Sequence, residues 1–353
     1  MISKSKVEII NISDPLDNVY QKSTFFDLIN SLKQNNISNY KKTAFYYYER
    51  YFKPIESSLP KSVTHIHIIP NSLIENITFD LLLTELSKSN DFSNLPYLGK
   101  KYQFSYGLSN SISSIINQKE SKSNTFSIFS PSFSNKELTE LKDSRNKAKS
   151  IADTYDANFV RETNATKETF QKHLENDKVL ALLSHGSARI DEDEINKGVY
   201  LSNGFLNLNE VYNLKSNCDF LLLVTCESDV GYKSREGNIN LARAFTAIGV
   251  KSMMLASWKI DEKSSSQIIG SFLKYLDSGC TKSEALQKAK LDYLATASPR
   301  MANPLYWAGL NITGNNETIE LHQRNYWWLG LVLFFVGVVG VFIAQRYIKR
   351  HRR

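Results

Sequence analysis

Apolar and polar positions fall into blocks along the chain, and the spacing within each block predicts an element. From residue 14 to 58 the apolar positions recur at helical spacing: Asp14-Pro15 offers a start, and AFYYYERYFKPIE (44–56) reads as a second amphipathic helix stopped near Leu59-Pro60. THIHIIP (64–70) reads as a strand that puts His65 and His67 on one face and Ile66 and Ile68 on the other, which suits structural histidines better than ligands. A helix is expected over 79–87, and short strands over 102–106 and 125–129, parted by a Ser/Asn-rich surface loop. Past Asn135 the rhythm is regular: helix 136–155, strand 158–161, helix 167–176, strand 178–184 and a polar excursion. Strand 220–225, a helix 239–248 closed by Gly249, strand 251–257, helices 264–276 and 282–296, and the apolar segment YWAGLNITG (306–314) complete it. Strands alternating with helices predict an α/β fold, a mostly parallel sheet flanked by helices on both faces.

The block 326–344, YWWLGLVLFFVGVVGVFIA, has no charged residue and no polar face. As a helix it would span roughly 28 Å at about 1.5 Å per residue, close to a hydrocarbon core of about 30 Å. Trp327 and Trp328 stand at one end and a basic tail, 345–353, at the other, so a transmembrane helix is expected there; a buried core helix is the alternative. Gly340 and Ala344 form one small-xxx-small pair. Residues 1–44 then read as a helical extension and 315–325 as a linker.

Charge adds little beyond this. Of the net +7, the tail residues Arg346, Lys349, Arg350, Arg352 and Arg353 supply five, leaving +2 elsewhere and no basic stripe for nucleic acid. The three cysteines, Cys218, Cys226 and Cys280, cannot all pair and show no CxxC spacing, as in a reducing compartment. The N-terminus has no apolar run of secretory length. The positive-inside rule would keep the basic tail in the cytoplasm and export the large domain, whereas a tail anchor would leave that domain cytoplasmic. The thiols favour the second arrangement, a single-pass C-terminal anchor.

Two strands end unusually. KVLALLSHG (178–186) carries His185 and Gly186 past its carboxyl end, and DFLLLVTCES (219–228) carries Cys226 past its own. Ligands of open α/β sheets bind outside such ends. If the two strands are neighbours, about 4.8 Å apart, imidazole and thiol come within working distance. A thiol with a pKa near 8.5 is only a few per cent thiolate at neutral pH, and an imidazole beside it raises the reactive fraction and can return the proton to a leaving amine. The amides of Gly186 and Cys226 could hold the oxyanion. Glu227 and Asp229 would raise the thiol pKa if close, so they are expected to hold a loop or meet a basic substrate residue. Against this, a cysteine after an apolar strand is often a small buried hydrophobe, and a His-Gly is unremarkable alone. The paired spacings of a zinc site are absent, and no cofactor is expected.

At these residues the sequence resembles the CHAT family, caspase-like cysteine peptidases related to separases and, more distantly, to caspases and gingipains. The resemblance is carried by LLSHGSARI, LVTCESDVG, REGNINLARAFTAIGVKSMMLASWKIDE and NPLYWAGLNITG. Upstream, PIESSLPKSVTHIHIIPNSLIENITFDLLL and YQFSYGLSNSIS extend it, so that it covers about residues 45–314. It implies a catalytic dyad of His185 and Cys226 with Gly186 at the oxyanion hole. Trp258, Asp261 and Glu262 match the segment that borders the pocket for the residue before the cleaved bond, where the two acids would suit a basic side chain; they suit solvated charges opening a helix at Ser264 better. Thr225 stands where relatives have a small residue, and the glycine that follows CE in relatives is delayed to Gly231. Many relatives carry helical repeats upstream, so whatever those repeats sense or recruit is expected to come from an activating or sensor partner or to be missing. The resulting expectation is a membrane-anchored cysteine endopeptidase with a protein substrate, acting in regulated proteolysis such as bacterial defence or cell death. The alternative is a catalytically silent scaffold of the same fold.

Overall fold

The computed structural model describes residues 20–70, 74, 77–108, 123–133, 138, 140–191, 194–224, 232–234, 237–239 and 241–321, with the backbone alone for 20–26, 187–197 and 232–239. Helices α1 (Tyr20–Lys33) and α2 (Ile37–Tyr47) form a hairpin, and α2 continues through a π turn, Tyr48–Phe52, and a last turn, Lys53–Glu56. The Asn36 side chain caps α2 by accepting from the Asn39 amide at 3.1 Å. Then come β1 (His65–Ile68), β2 (Gln103–Tyr106), β3 (Phe126–Pro131), α3 (Lys142–Tyr155), β4 (Asn158–Glu162), α4 (Lys167–Asn176) and β5 (Val179–Leu183). Three antiparallel strands follow, β6 (Gly186–Asp191), β7 (Glu194–Leu201) and β8 (Gly204–Asn207), with α5 (Leu208–Tyr212) and β9 (Phe220–Val224) after them. A ribbon of β10 (Tyr232–Ser234) and β11 (Gly237–Ile239) leads to α6 (Leu241–Ala247), β12 (Ser252–Ala256), α7 (Glu262–Asp277), α8 (Lys282–Thr296) and β13 (Leu310–Gly314).

The main sheet has eight strands in the order β1-β2-β13-β12-β9-β5-β3-β4. Five of them, from β12 to β4, run parallel; β13 runs antiparallel to β12 and parallel to β2 and β1. Every residue of β5, β9 and β12 is buried, as an unbroken apolar string requires when helices cover both faces. Val179, Ala181 and Leu183 with Phe220, Leu222 and Val224 face the cluster built with α3, α7 and α8. Leu180, Leu182, Leu221 and Leu223 face the other cluster, with Phe170 and Leu174 of α4 and Phe245 of α6. Burying one such side chain contributes about 1.5–3 kcal/mol, so this two-sided sandwich dominates the stability.

Several expectations are corrected. The helix expected over 79–87 is a short 3-10 turn, Phe79–Leu81, followed by extended chain with a bridge from Leu83 to Tyr97. Leu81, Leu82 and Leu83 are all fully buried, and an extended run can bury neighbours that a helix would spread around its axis. Helix α3 begins at Lys142, six residues later than expected, because its N-cap Leu141 has no capping side chain and the cap arrives from elsewhere in the fold. The polar excursion 186–207 holds three strands; their inward residues Val199, Leu201 and Leu206 are buried, but charged and small residues between them blur the alternation. Ile239 ends a strand instead of opening a helix. The expected linker is packed over its described part, with Ile319 and Leu321 buried in the main core. No helix among the described residues is long and apolar enough to cross a membrane, and 326–344 lies outside them.

Candidate active site

The ladder between β5 and β9 fixes the rim where the chemistry was expected. Five rungs run from Val179 opposite Phe220 to Leu183 opposite Val224. His185 is the second residue after Leu183, and in sequence Cys226 is the second after Val224; Cys226, Glu227 and Asp229 lie outside the described residues. His185 is half-buried and its backbone is held on both sides. The Tyr200 amide donates to its carbonyl at 2.9 Å, and the Ser184 hydroxyl donates to the Tyr200 carbonyl. Gly186 opens β6 opposite Val199. The imidazole faces the Phe133 ring, centroids 4.9 Å apart and planes at 56°. Phe133 follows β3, which pairs with β5 on the side away from β9. Sequence reading did not single it out, because its place at the rim depends on strand order and not on local pattern.

Trp258 follows β12 on the opposite flank of β9. It is 8% exposed; its Nε1 donates to the Leu305 carbonyl at 3.0 Å, and a Cβ on Gly309 would come within 2.9 Å of its ring. Glycine is required there for close approach. The loop holding Leu305 is tied down by Asn303, whose Oδ1 accepts from the Leu305 amide and whose Nδ2 donates to the Leu32 carbonyl at the end of α1. Asp261 is the N-cap of α7, accepting from the Ser264 amide at 2.9 Å. Glu262 accepts from the Ser144 amide at 2.7 Å and so supplies the cap that α3 lacks in its own sequence. Both acids thus spend one oxygen on a helix end.

Other constellations are structural. The Ser127 hydroxyl and the Asp177 carboxylate meet the same nitrogen of His173, Nδ1, at 3.0 and 2.8 Å, so no relay through the ring exists. His65 and His67 share the buried Ser105 hydroxyl at 2.8 Å each, and burial lowers the pKa of both rings. Cys218 is fully buried, its Sγ donating to the Phe220 carbonyl at 3.2 Å, and burial pushes its thiol pKa far up; it is an inert core residue. Cys280 is a buried, unpaired thiol with the Lys288 ammonium 3.3 Å away. Among the described residues no cluster could hold a metal ion.

Comparisons with known proteins agree with this architecture. In fold, the chain is similar to the Saccharomyces cerevisiae separase–securin complex, with TM-score 0.50 and 15% identity over 74% of this chain and 17% of that one. It is similar as well to the Porphyromonas gingivalis RgpB pro- and mature-domain complex (TM-score 0.50, 9% identity, 80% of this chain and 70% of that one). The Arg-specific cysteine proteinase gingipain R gives TM-score 0.50 and 8% identity over 80% of this chain and 68% of that one. At such identities the likeness is one of fold, a caspase-like α/β sheet. The chain spans less than a fifth of the separase-complex chain it matches, 17%. No curated protein matches the sequence significantly. The model of the CHAT domain matches residues 42–315, most of the sequence, and the chain belongs to the CHAT family.

Proposed function

We propose that the chain is a membrane-anchored cysteine endopeptidase in which His185 and Cys226 form the catalytic dyad. The observation that carries the reading is the β5–β9 ladder: its last rung, Leu183 with Val224, gives both residues the same offset beyond neighbouring parallel strands. In the reaction, the Cys226 thiolate attacks the scissile carbonyl, and the amides of Gly186 and Cys226 hold the oxyanion. The His185 imidazolium protonates the leaving amine as the C–N bond breaks to give a thioester. Water, deprotonated by His185, then releases the acid and restores the thiol. The inertness of Cys218 supports assigning the nucleophile to Cys226. Trp258, with the second oxygens of Asp261 and Glu262, borders the pocket for the residue before the cut, and Glu227 and Asp229 extend its negative charge toward a basic side chain. The fold likeness to an Arg-specific proteinase supports that preference.

The segment 326–344 anchors the protein as a single pass, with the catalytic domain on the cytoplasmic side, where the unpaired Cys218 and Cys280 suit a reducing medium. The substrate is a protein, and an activating or sensor partner controls the enzyme in regulated proteolysis such as bacterial defence or cell death. The test is to present the full chain, in detergent micelles, with a peptide library rich in Lys and Arg. Cleavage after basic residues, lost in Cys226→Ala and in His185→Ala, is the expected result. Cleavage untouched by either substitution overturns the dyad, and no turnover by any form favours the scaffold reading or a missing activating partner.

A further inference from the structure

We propose that Asn316 is a pH-sensitive clasp: it holds the segment after β13 to β1 and to the start of α8 while the His65 ring is neutral, and lets go when that ring is protonated. The proposal stands whether or not the chain is a peptidase. Three contacts fix the hydrogen-bond directions. The Ser283 amide donates to Asn316 Oδ1 at 2.7 Å, so the donor end of that side chain, Nδ2, is the one that lies 3.3 Å from His65 Nε2. His65 Nε2 is therefore an acceptor, and its 2.8 Å contact with the buried Ser105 hydroxyl uses the serine's proton. With that proton spent, His67 Nδ1, also 2.8 Å from the hydroxyl, must donate. The order of donation runs from His67 through Ser105 to His65, and Asn316 closes the far end.

Protonating His67 adds a hydrogen at Nε2 and leaves this chain intact. Protonating His65 sets a donor against two donors. A turned Ser105 hydroxyl would bury its own proton without an acceptor, and a turned Asn316 would lose the Ser283 amide. Burial first, and the neighbouring His67 second, already hold the His65 pKa below the usual histidine range. The first turn of α8 and the segment after β13 bring Lys282, Glu284, Glu317 and Glu320 into the neighbourhood. Lys282 Nζ donates to the Glu317 carbonyl at 2.6 Å, Glu284 pairs with Lys288 at 2.8 Å, the Glu317 carboxylate accepts from Asn315 at 3.2 Å, and Glu320 is exposed. Among the described residues no carboxylate is thus placed to receive a charge on His65. Opening the clasp frees the last packed stretch, with Ile319 and Leu321, before the 326–344 segment.

Amide exchange of the full chain in detergent micelles, from about pH 8 to about pH 5 and corrected for intrinsic rates, reads the clasp through peptides covering 282–283 and 315–321. In the wild type the protection of both falls as the pH drops, by up to about tenfold for each unit that separates the clasped ring's pKa from the free value. His65→Gln, whose side-chain oxygen can accept where Nε2 does and does not titrate, makes both flat. Asn316→Asp reverses the response: its carboxylate takes the Ser283 amide and pairs with the charged ring, so protection is held in acid. A flat wild type overturns the proposal, as does a fall that persists in His65→Gln or an Asn316→Asp chain that loses protection in acid as the wild type does. Peptide cleavage plays no part in the readout, so a failure of the peptidase reading leaves each outcome decisive.

Discussion

The two rims of the main sheet are made by the same strands and are finished in opposite ways. At the rim where β5, β9 and β12 begin, the ionic groups lie close together and are partnered. Lys251 pairs with Asp219 at 2.8 Å, and the buried Lys282 ammonium donates to the Glu317 carbonyl at 2.6 Å above the Phe220 ring. Cys218 is sealed beneath them. At the opposite rim His185, past β5, and Phe133, past β3, remain half-exposed. Under the proposed dyad the two thiols that flank β9 in sequence have different fates: burial suppresses ionisation of Cys218 before its start, and the proposed nucleophile follows its end.

The largest test of this contrast exchanges the two thiols. Cys226→Ala should abolish turnover, a loss of about 10³-fold or more, as for other members of a nucleophile–base pair. Cys218→Ala should leave kcat within about twofold and lower stability by about 1–2 kcal/mol, read as a denaturant midpoint. Alkylation of the folded protein should modify position 226 long before 218; the reverse order would erase the distinction between the rims.

Lys282 gives the next effect. Burial lowers its pKa from 10.5 to about 8. The unfolded chain therefore binds more protons than the native state between about pH 8 and 10.5, so this group's contribution to stability rises with pH across that window. Below the window the native state bears the whole cost of a buried ammonium, up to about 3 kcal/mol. Wild type minus Lys282→Met, followed by urea midpoints from pH 7 to 10, should show that rise; a flat difference would mean that the ammonium is not desolvated.

The smallest effect separates helix capping from substrate recognition at the ending rim. Asp261→Ala should cost about 1 kcal/mol, whereas Asp261→Asn, an equally good cap, should cost a few tenths. If the second carboxylate oxygen also meets a basic substrate residue, Asp261→Asn loses kcat/KM toward Lys and Arg peptides with stability unchanged. Equal kinetics would confine the residue to its cap.

Much of the architecture was legible because it is local. Strands such as LLLV and helices such as Lys167–Asn176 and Lys282–Thr296 announce themselves by period and by caps, Thr166 and Thr281 among them. The alternation of elements also gave the mostly parallel sheet. What escaped was set by distant parts of the chain. The start of α3 depends on Glu262, 118 residues later, and Phe133 stands near His185 because β3 is inserted beside β5. The pairing of β13 against β12 is of the same kind. Gly314 turns the chain there at φ +91, where a Cβ would fall 2.3 Å from the Lys251 carbonyl, yet glycine in sequence does not name its partner.

The position of β13 also sets the timing of biogenesis. It lies between β2 and β12, so the first strands off the ribosome border on the last. At roughly 5–20 residues per second, the inner edge of β2 waits about 10–40 s for its neighbour to emerge. During that interval the nascent chain presents open hydrogen-bonding edges on β2 and β12, the kind of edge that pairs with other chains. A chain stopped short of residue 310 would never close that gap, and its fate would be aggregation or degradation.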